Sequence, residues 1–263
     1  PLGHVSTMTY DAYGQVLTVT DANGGVTTNV YDASGNLISV TDATGASIQG
    51  AKIEVTGHPA FDRVPEELKS FRRDEMVGKF SLPKGPYVLL GTSQPGKRGE
   101  VMDMCRVACD AVAALGGLHL IVKPHPGEDA DAYRAYASGR PEGVTAVSGV
   151  NIRELLFVSE VLITFASTIM IESLLMGKPI ISYNYTSEPD PLPFVRWGLG
   201  VEARTPGELQ KAVQTVLTDD AFRQKFTKAR SKYFSGSIDG RASERVAALI
   251  GRLAGLPDDR AHL

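Results

Sequence analysis

The sequence predicts an α/β protein in which helices cover both faces of a parallel β-sheet, preceded by a small segment of β-hairpins. Three observations lead to this prediction. Beyond Gly50, short apolar runs alternate with amphipathic segments of helical length, which is typical of βαβ units. Residues 1–50 instead repeat a β-rich pattern. The composition, with 43% hydrophobic and 22% charged residues, is that of a folded protein.

The apolar runs fix the expected order of elements. We predict strands at Lys52–Thr56, Tyr87–Gly91, His119–Lys123, Val144–Val147, Val161–Thr164 and Pro179–Tyr183. Helical periodicity predicts helices at Glu100–Leu115, Asp129–Ala137, Ile152–Val158, Thr168–Met176, Ala221–Phe234 and Ala242–Leu253. Because βαβ crossovers are right-handed, the carboxyl ends of these strands are expected to share one edge of the sheet.

Residues 1–50 differ from the rest of the chain in charge and in repetition. They contain four Asp and no Lys, Arg or Glu, so all 27 basic residues lie beyond Gly50. Residues 9–29 align without gaps on residues 30–50, with nine identical positions. Each copy contains Asp-x-x-Gly twice, and Asp followed by Gly favours a tight turn. The repeat therefore predicts an alternation of strands and turns.

The pattern Tyr-Asp-x-x-Gly with a later Asp-x-x-Gly resembles the YD repeats of Rhs-type bacterial surface and toxin-shell proteins. That resemblance implies stacking, with sugar binding or assembly as its function. Stacked repeats usually need about three copies to bury a shared face, so two copies predict a small appendage. Residues 1–50 are therefore the first predicted domain, with Pro1-Leu2-Gly3 read as a tag remnant.

Composition excludes several classes of function. The net charge of −3 and the pI near 6.0 provide no basic field for nucleic acid. No apolar run reaches the length of a membrane span, and the N-terminus does not resemble a secretory signal, so a cytoplasmic protein is expected. Cys105 and Cys109 share one predicted helix, where we expect buried thiols in a reducing compartment. The five His are unclustered, so no metal site is expected.

Polar residues follow four predicted strands at the shared edge. They are Thr92 and Ser93, Lys123 and His125, Asn151, and Ser167 and Thr168. Hydroxyls and unpaired N–H groups at strand-to-helix turns suit phosphate oxygens, so the edge is expected to bind an anion. Ordinary helix capping is the alternative for any one of these residues. Glu172 lies one turn into the following helix, from which a carboxylate could reach a bound ribose, although a surface Glu is the simpler interpretation.

These residues match a family. GHPAFD (57–62), the polar turn after residue 91, KPHP (123–126) and STIMIESLLMGKPII (167–181) resemble the C-terminal nucleotide-binding half of glycosyltransferase-B enzymes. The likeness is to UDP-N-acetylglucosamine 2-epimerases, CDP-glycerol glycerophosphotransferases and capsule polysaccharide transferases. It implies a Rossmann-like domain over residues 51–263. It also implies that Ser167 and Thr168 hold the diphosphate, Glu172 the ribose, His125 and Lys123 the phosphates, and that the base lies near Val150 and Asn151.

The same resemblance implies a partner domain. Such enzymes use two Rossmann-like domains, and the N-terminal one contacts the acceptor. Here two repeats stand in its place, so we expect binding of a UDP- or CDP-linked donor with little turnover. The donor is a substrate and no separate cofactor is expected. A glycan or lipid-linked acceptor would need the other domain, and contact with the inner membrane face and self-association are further expectations.

Two alternatives remain at this stage. Residues 91–98 nearly match the P-loop pattern GxxxxGK[ST], but Arg98 occupies the hydroxyl position and no later strand ends in the Asp that would hold Mg²⁺. The ATPase interpretation is therefore disfavoured. The other alternative is a non-catalytic assembly module, in which the repeats mediate interaction and the α/β unit is a scaffold.

Overall fold

In a computed structural model of the protein, the chain forms two compact units, Pro1–Thr56 and Gly57–Leu263. The structure describes residues 7–11, 13–21, 23–32, 37–49, 54, 56–92, 98–140, 143–186, 190, 192–234 and 239–254. Among these residues, no helix combines the length and apolar character needed to span a membrane. The predicted boundary between residues 50 and 51 stays a prediction.

The first unit is a five-stranded antiparallel sheet in which each strand pairs with the next along the chain. Its strands are β1 (Thr7–Tyr10), β2 (Val16–Thr20), β3 (Val26–Tyr31), β4 (Leu37–Thr41) and β5 (Ser47–Gln49). Such consecutive pairing needs only short turns, which the two repeats supply. The predicted alternation of strands and turns is therefore present.

Three of the four Asp-x-x-Gly turns are described, two of them without residues 12 and 22, and their hydrogen bonds share one pattern. In each turn Oδ1 of the aspartate accepts hydrogen bonds of 2.8–3.0 Å from the N–H groups two and four residues later. The glycine adopts a φ of 81°, 84° or 83°, a conformation that a side chain disfavours. The turns begin at Asp11, Asp21 and Asp42, whereas residues 33–36 of the remaining turn lie outside the described part of the chain.

This sheet has no interior of its own. None of the side chains that the structure describes between residues 7 and 47 is buried. Several large apolar side chains are exposed, including Tyr13 at 88% and Met8 at 50%. A single layer with two solvated faces removes little apolar surface from water, so this unit contributes little hydrophobic stabilisation by itself.

The second unit is built around a six-stranded parallel sheet. In spatial order β11-β10-β9-β6-β7-β8, its strands are β6 (Tyr87–Gly91), β7 (His119–Lys123), β8 (Val144–Ala146), β9 (Val161–Thr164), β10 (Ile180–Tyr183) and β11 (Gly200–Ala203). The chain runs from β6 to β8 in one direction and then returns to β9 on the other side of β6. The order therefore reverses between β6 and β9.

Helices cover both faces of this sheet, as predicted. They are α1 (Val64–Ser70), α2 (Arg73–Lys79), α3 (Arg98–Leu115), α4 (Ala130–Ser138), α5 (Ile152–Val158), α6 (Ile169–Leu175), α7 (Pro206–Thr218), α8 (Asp220–Phe234) and α9 (Ala242–Leu253). On one face α3 packs on β6, β7 and α7, while α5 and α6 pack together against β6, β9 and β10. Strands covered on both sides are mostly apolar, and all residues of β6, β9 and β10 are buried, including the polar Thr164 and Ser182.

Most predicted elements of this unit are present within two residues of their predicted ends. Helices α1, α2 and α7 were not predicted, and two further differences concern strands. The edge strand β11 was not predicted, because its four residues, GVEA, carry almost no apolar signal. The predicted strand Lys52–Thr56 falls mostly outside the described residues, and Glu54 and Thr56 are not in a strand.

Helix α8 shows how tertiary contacts modify a sequence pattern. Its stripe of Phe222, Phe226 and Ala229 is buried, as expected of core packing. Arg230 lies outside this stripe and donates hydrogen bonds of 2.8 Å to the carbonyl oxygens of Leu174 and Leu175. This guanidinium therefore caps the C-terminal end of α6, where unpaired carbonyl groups need donors.

Candidate functional site

The candidate site lies where the strand order reverses, at the carboxyl ends of β6, β7 and β9. In open parallel sheets the loops on the two sides of such a point separate and leave a crevice. The loop after β6 begins with Thr92, the loop after β7 contains KPHP, and the loop after β9 leads into α6. Three of the four polar turns identified in the sequence therefore flank one crevice.

A hydrogen-bond network joins the first two loops. The Thr92 hydroxyl donates to Oε2 of Glu128 and accepts from the His125 N–H at 2.8 Å. The same Glu128 oxygen accepts from the His125 N–H at 3.0 Å and from the Tyr133 hydroxyl at 3.4 Å. Burial, reinforced by the Glu128 charge, raises the pKa of Tyr133, so its phenol stays a donor.

Thr92 consequently joins the two loops. Its exposed fraction is 5%, and its hydroxyl is engaged by both Glu128 and His125. In this structure the hydroxyl therefore positions the KPHP turn. A contact between Thr92 and a ligand stays a prediction. Ser93, the next predicted residue, lies outside the described residues.

The orientation of His125 defines which ring nitrogen carries a proton. The Gly127 N–H donates to Nδ1 of His125 at 3.1 Å, so Nδ1 is an acceptor. In the neutral imidazole the proton must then reside on Nε2, which makes Nε2–H a hydrogen-bond donor. The ring is half-buried beside the crevice and is therefore suited to donate to an anionic oxygen.

Lys123 and Glu172 bring opposite charges to the crevice from different elements. Lys123 ends β7 and is half-buried. Burial lowers the pKa of its ammonium group, and the nearby Glu172 carboxylate offsets part of that effect. Glu172 extends from the first turn of α6, as the sequence predicts. The Glu172 charge therefore acts on Lys123, although the two residues belong to different elements.

The turn between β9 and α6 carries an unusual backbone. Ala166 has a φ of 46°, in the left-handed region that only glycine adopts without cost. Thr168 follows at the N-cap of α6, yet its side chain makes no capping hydrogen bond. Among the described residues, the Ser167 hydroxyl has no hydrogen-bond partner either. Simple capping therefore does not account for these two hydroxyls.

Asn151, by contrast, behaves as an ordinary cap. Its side-chain oxygen accepts a hydrogen bond of 3.0 Å from the Arg153 N–H and begins α5. The capping alternative is therefore sufficient for that oxygen. A contact between Asn151 and a base stays a prediction.

An ion-pair network behind the crevice was not predicted. Arg153 donates from Nε to Glu172 at 2.9 Å, from Nη1 to Glu67 at 2.9 Å and from Nη2 to the carbonyl oxygen of Ala60 at 3.1 Å. Burial opposes its charge, but the hydrogen bonds to both carboxylates prevail and raise the pKa of Arg153. Glu172 is therefore no unconstrained surface residue, because its side chain is 20% exposed and paired.

The GHPAFD segment supports this arrangement from outside the crevice. Ala60 receives the Arg153 bond, and Asp62 accepts hydrogen bonds of 2.8 and 2.7 Å from the N–H groups of Ala242 and Ser243 at the start of α9. In the part of the chain that the structure describes, no three His, Cys, Asp or Glu side chains cluster as a metal site. The crevice is thus defined by cations, hydroxyls and one carboxylate.

A family comparison agrees with this geometry. Residues 41–252 match the family of CDP-Glycerol:Poly(glycerophosphate) glycerophosphotransferase. The chain belongs to this family. The matched residues include the whole six-stranded sheet of the glycerophosphotransferase-family unit and every described residue of the crevice.

Known structures give the same fold. The S. aureus MnaA–UDP co-structure superposes with a TM-score of 0.58 at 17% identity, covering 78% of this chain and 54% of that one. The wall teichoic acid polymerase TagF gives 0.56 at 17% identity, over 76% and 51%. A UDP-N-acetylglucosamine 2-epimerase from Listeria monocytogenes gives 0.55 at 17% identity, over 75% and 52%. These are glycosyltransferase-B-type proteins, so the predicted half of that fold is confirmed.

One curated relative is also similar. The lipid-A-disaccharide synthase of Alkalilimnicola ehrlichii is 26% identical over 236 residues, which cover 77% of this chain and 59% of that protein. The glycerophosphotransferase-family chain therefore spans well under two thirds of this relative and about half of the solved structures.

Sequence reasoning missed Glu128 and Arg153 for different reasons. Glu128 stands three residues after His125, so its position directly after KPHP was an available signal. Arg153 offered none, because its partners lie 19, 86 and 93 residues away. Only the packing of α5 between α6 and the segment before α1 brings those groups together.

Proposed function

We propose that the unit Gly57–Leu263 binds the nucleoside diphosphate of a nucleotide-activated donor, in the synthesis of a cell-surface polymer. The observation that carries this proposal is the position of Lys123 at the end of β7, of His125 in the turn that follows, and of Glu172 in the first turn of α6, at the edge where the strand order reverses. A pyrophosphate requires cations and N–H or O–H donors, whereas ribose hydroxyls require an acceptor. The crevice presents both kinds of group.

Each residue has a distinct role in this proposal. The Lys123 ammonium compensates phosphate charge, and the His125 Nε2–H donates to a phosphate oxygen. The hydroxyls of Ser167 and Thr168 donate to the same diphosphate, since no cap interaction occupies them among the described residues. Glu172 accepts from the ribose. Glu128 and Thr92 hold the His125 turn so that its ring faces the ligand.

Family and structural likeness favour a pyrimidine nucleotide. The description of the family names CDP-glycerol. One TagF structure was soaked with CDPG, and the MnaA structure contains UDP. The donor is a substrate in either case. Transfer of glycerophosphate from CDP-glycerol breaks the bond between the two phosphates and releases CMP, whereas glycosyl transfer releases the nucleoside diphosphate. The released nucleotide therefore distinguishes the two reactions.

We further propose that these 263 residues bind donor with little turnover on their own. The crevice described here is a single wall, and reaction with a glycan or lipid-linked acceptor requires a second wall that orients it and excludes water. In this proposal another domain supplies the acceptor site, in line with the share of its relatives that this chain spans.

Calorimetric titration with CDP, UDP, CDP-glycerol and UDP-N-acetylglucosamine tests the proposal. We expect micromolar to millimolar binding of at least one nucleotide, and a loss of about tenfold or more for Lys123→Met, because a charge-assisted contact disappears. Lys69→Met removes an exposed cation paired only with Glu66 and serves as the matched control. Absence of heat with all four ligands would refute the proposal.

A second candidate function concerns residues 1–50. The exposed apolar side chains, on a sheet whose side chains are not buried in the described residues 7–47, favour an interaction surface, as the likeness to YD repeats implies. In this alternative the repeats mediate assembly, including self-association, and the α/β unit is a scaffold. An oligomer in light scattering that becomes a monomer without residues 1–50 would favour it.

A further inference from the structure

Arg153 is the most highly connected side chain behind the crevice. Its three guanidinium nitrogens each donate to a different element: Glu172 on α6, Glu67 on α1 and the carbonyl oxygen of Ala60. Its side chain is 13% exposed. A planar guanidinium presents its donors in a fixed fork, so three acceptors on separate elements determine its orientation almost completely.

This orientation is passed on to Glu172. The contact from Nε of Arg153 fixes Oε1 of Glu172 at 2.9 Å. A carboxylate offers about four acceptor positions, and Arg153 occupies one of them. Arg153 does not use the other acceptor positions, which are suited to hydroxyl groups of a ligand. A glutamate without that anchor would exchange rotamers, and ligand binding would have to restrict it again.

We propose that Arg153 is a positioning residue that gives the site its preference for ribose by holding Glu172. The inference rests on the proposed function, because it concerns the sugar of the same nucleotide. A fixed carboxylate accepts hydrogen bonds from both ribose hydroxyls at a small ordering cost. A nucleotide without those hydroxyls gives no donors to the acceptor positions that Arg153 does not occupy, and the site binds it less tightly.

The test compares each nucleotide with its 2′,3′-dideoxy analogue in the full chain. Both UDP and CDP are titrated, each beside its own dideoxy analogue. For each nucleotide, the dissociation constant of the dideoxy analogue divided by that of the parent nucleotide measures the preference for ribose hydroxyls independently of overall affinity. We expect a ratio of about ten or more in the parent chain, since hydrogen bonds to a charged group are worth that factor. Glu172→Gln should reduce the ratio several-fold. Arg153→Gln should also reduce it, although residue 153 does not contact the ligand in this proposal.

Arg230→Gln is the matched control. Arg230 also donates to α6, but at the carbonyl oxygens of Leu174 and Leu175 at the opposite end of the helix. If Arg153 acted only by stabilising α6, both substitutions would lower the ratio equally. Arg153→Lys keeps the positive charge but loses the planar guanidinium, and should give an intermediate ratio. This variant tests the inference if Arg153→Gln does not fold.

The outcomes separate this inference from the function on which it depends. A parent chain that binds neither nucleotide overturns both. A parent chain that binds with a ratio near one, an unchanged ratio in Arg153→Gln, or an equal fall in Arg230→Gln overturns the role of Arg153 alone. A fall confined to the Arg153 and Glu172 variants supports it.

Discussion

At the residue scale, Lys123 shows how the position of one side chain sets the pH range of a site. The residue ends a central strand, and burial lowers the pKa of its ammonium group. A lysine with a lowered pKa loses its charge at a lower pH than an exposed one. The affinity of the crevice for a diphosphate should therefore fall as the pH rises toward that value.

Lys123→Arg isolates this effect, because arginine stays charged to above about pH 12. We expect the parent chain to lose nucleotide affinity at a pH below the usual lysine pKa of about 10.4, and the variant to lose much less. Titrations at matched ionic strength measure both profiles. Parallel profiles would show that Lys123 is not the titrating group.

The two thiols illustrate the same principle away from the site. Both are buried on α3, as expected. The hydrogen bond that Cys105 donates to Cys109, together with burial, raises the pKa of Cys105. Hydrogen bonds from Cys105 and Tyr136 lower the pKa of Cys109. Cys109 and Arg140 both line a cavity of about 490 Å³.

We therefore expect that Cys109 reacts slowly in the native chain and that Cys105 does not react. A chromogenic disulfide reagent should label the parent chain and Cys105→Ser at similar rates, and should leave Cys109→Ser unlabelled until it unfolds. Equal labelling of both single variants would contradict this assignment.

At the scale of elements, the start of α9 depends on a distant residue. Asp62 accepts hydrogen bonds from the Ser243 hydroxyl and N–H and from the Ala242 N–H, and these bonds lower the pKa of Asp62. A group whose pKa is lower in the folded state stabilises the fold above its unfolded pKa. That contribution disappears as the pH falls through the folded pKa.

Asp62→Asn should therefore destabilise the chain at neutral pH and make little difference in acid. The gap between parent and variant in urea unfolding is expected to be constant down to about pH 4, the usual pKa of Asp, and to close below it. A gap that persists in acid would mean that shape and not charge determines the cap.

The pairing of β10 with β11 depends on a glycine. A Cβ added at Gly200 would lie 2.4 Å from both Cγ1 and the carbonyl oxygen of Ile180. Because one of those atoms is backbone, the strands would have to separate. Gly200→Ala should cost about 1–3 kcal/mol or more, the range for overpacked interiors.

Gly207→Ala is the control for that substitution. No atom lies within 4 Å of a Cβ at Gly207, which is in the first turn of α7, and alanine favours helix by about 0.5–1 kcal/mol over glycine. The midpoint of denaturant unfolding should fall in Gly200→Ala and rise in Gly207→Ala. A neutral Gly200→Ala would show that the two strands adjust freely.

At the scale of the whole molecule, the two units differ in whether they possess a core. The second unit buries the side chains of β6, β9 and β10 on both faces of its sheet. The described residues 7–47 of the first unit bury none. Stability follows buried apolar area, so the units should behave differently when each is expressed alone.

Residues 57–263 are expected to unfold cooperatively, whereas residues 1–56 should show no cooperative transition in circular dichroism. A sharp thermal transition of the short fragment would show that hairpin pairing alone stabilises the repeats, or that they associate. Concentration dependence of that transition would separate the two explanations.

The sequence alone determined most elements of the parallel-sheet unit and the edge at which the carboxyl ends of its strands meet. Periodicity located the central strands because they are buried on both faces and are therefore mostly apolar, and handedness placed Lys123, His125 and Ser167 at one edge. Tertiary structure decided what those residues touch. The anchoring of Glu172 by Arg153, the burial of Thr92 and the docking of Arg230 on α6 depend on contacts between elements far apart in the chain. The local sequence pattern indicates which face of an element is buried and which is exposed. It carries no information about which distant side chain contacts that element.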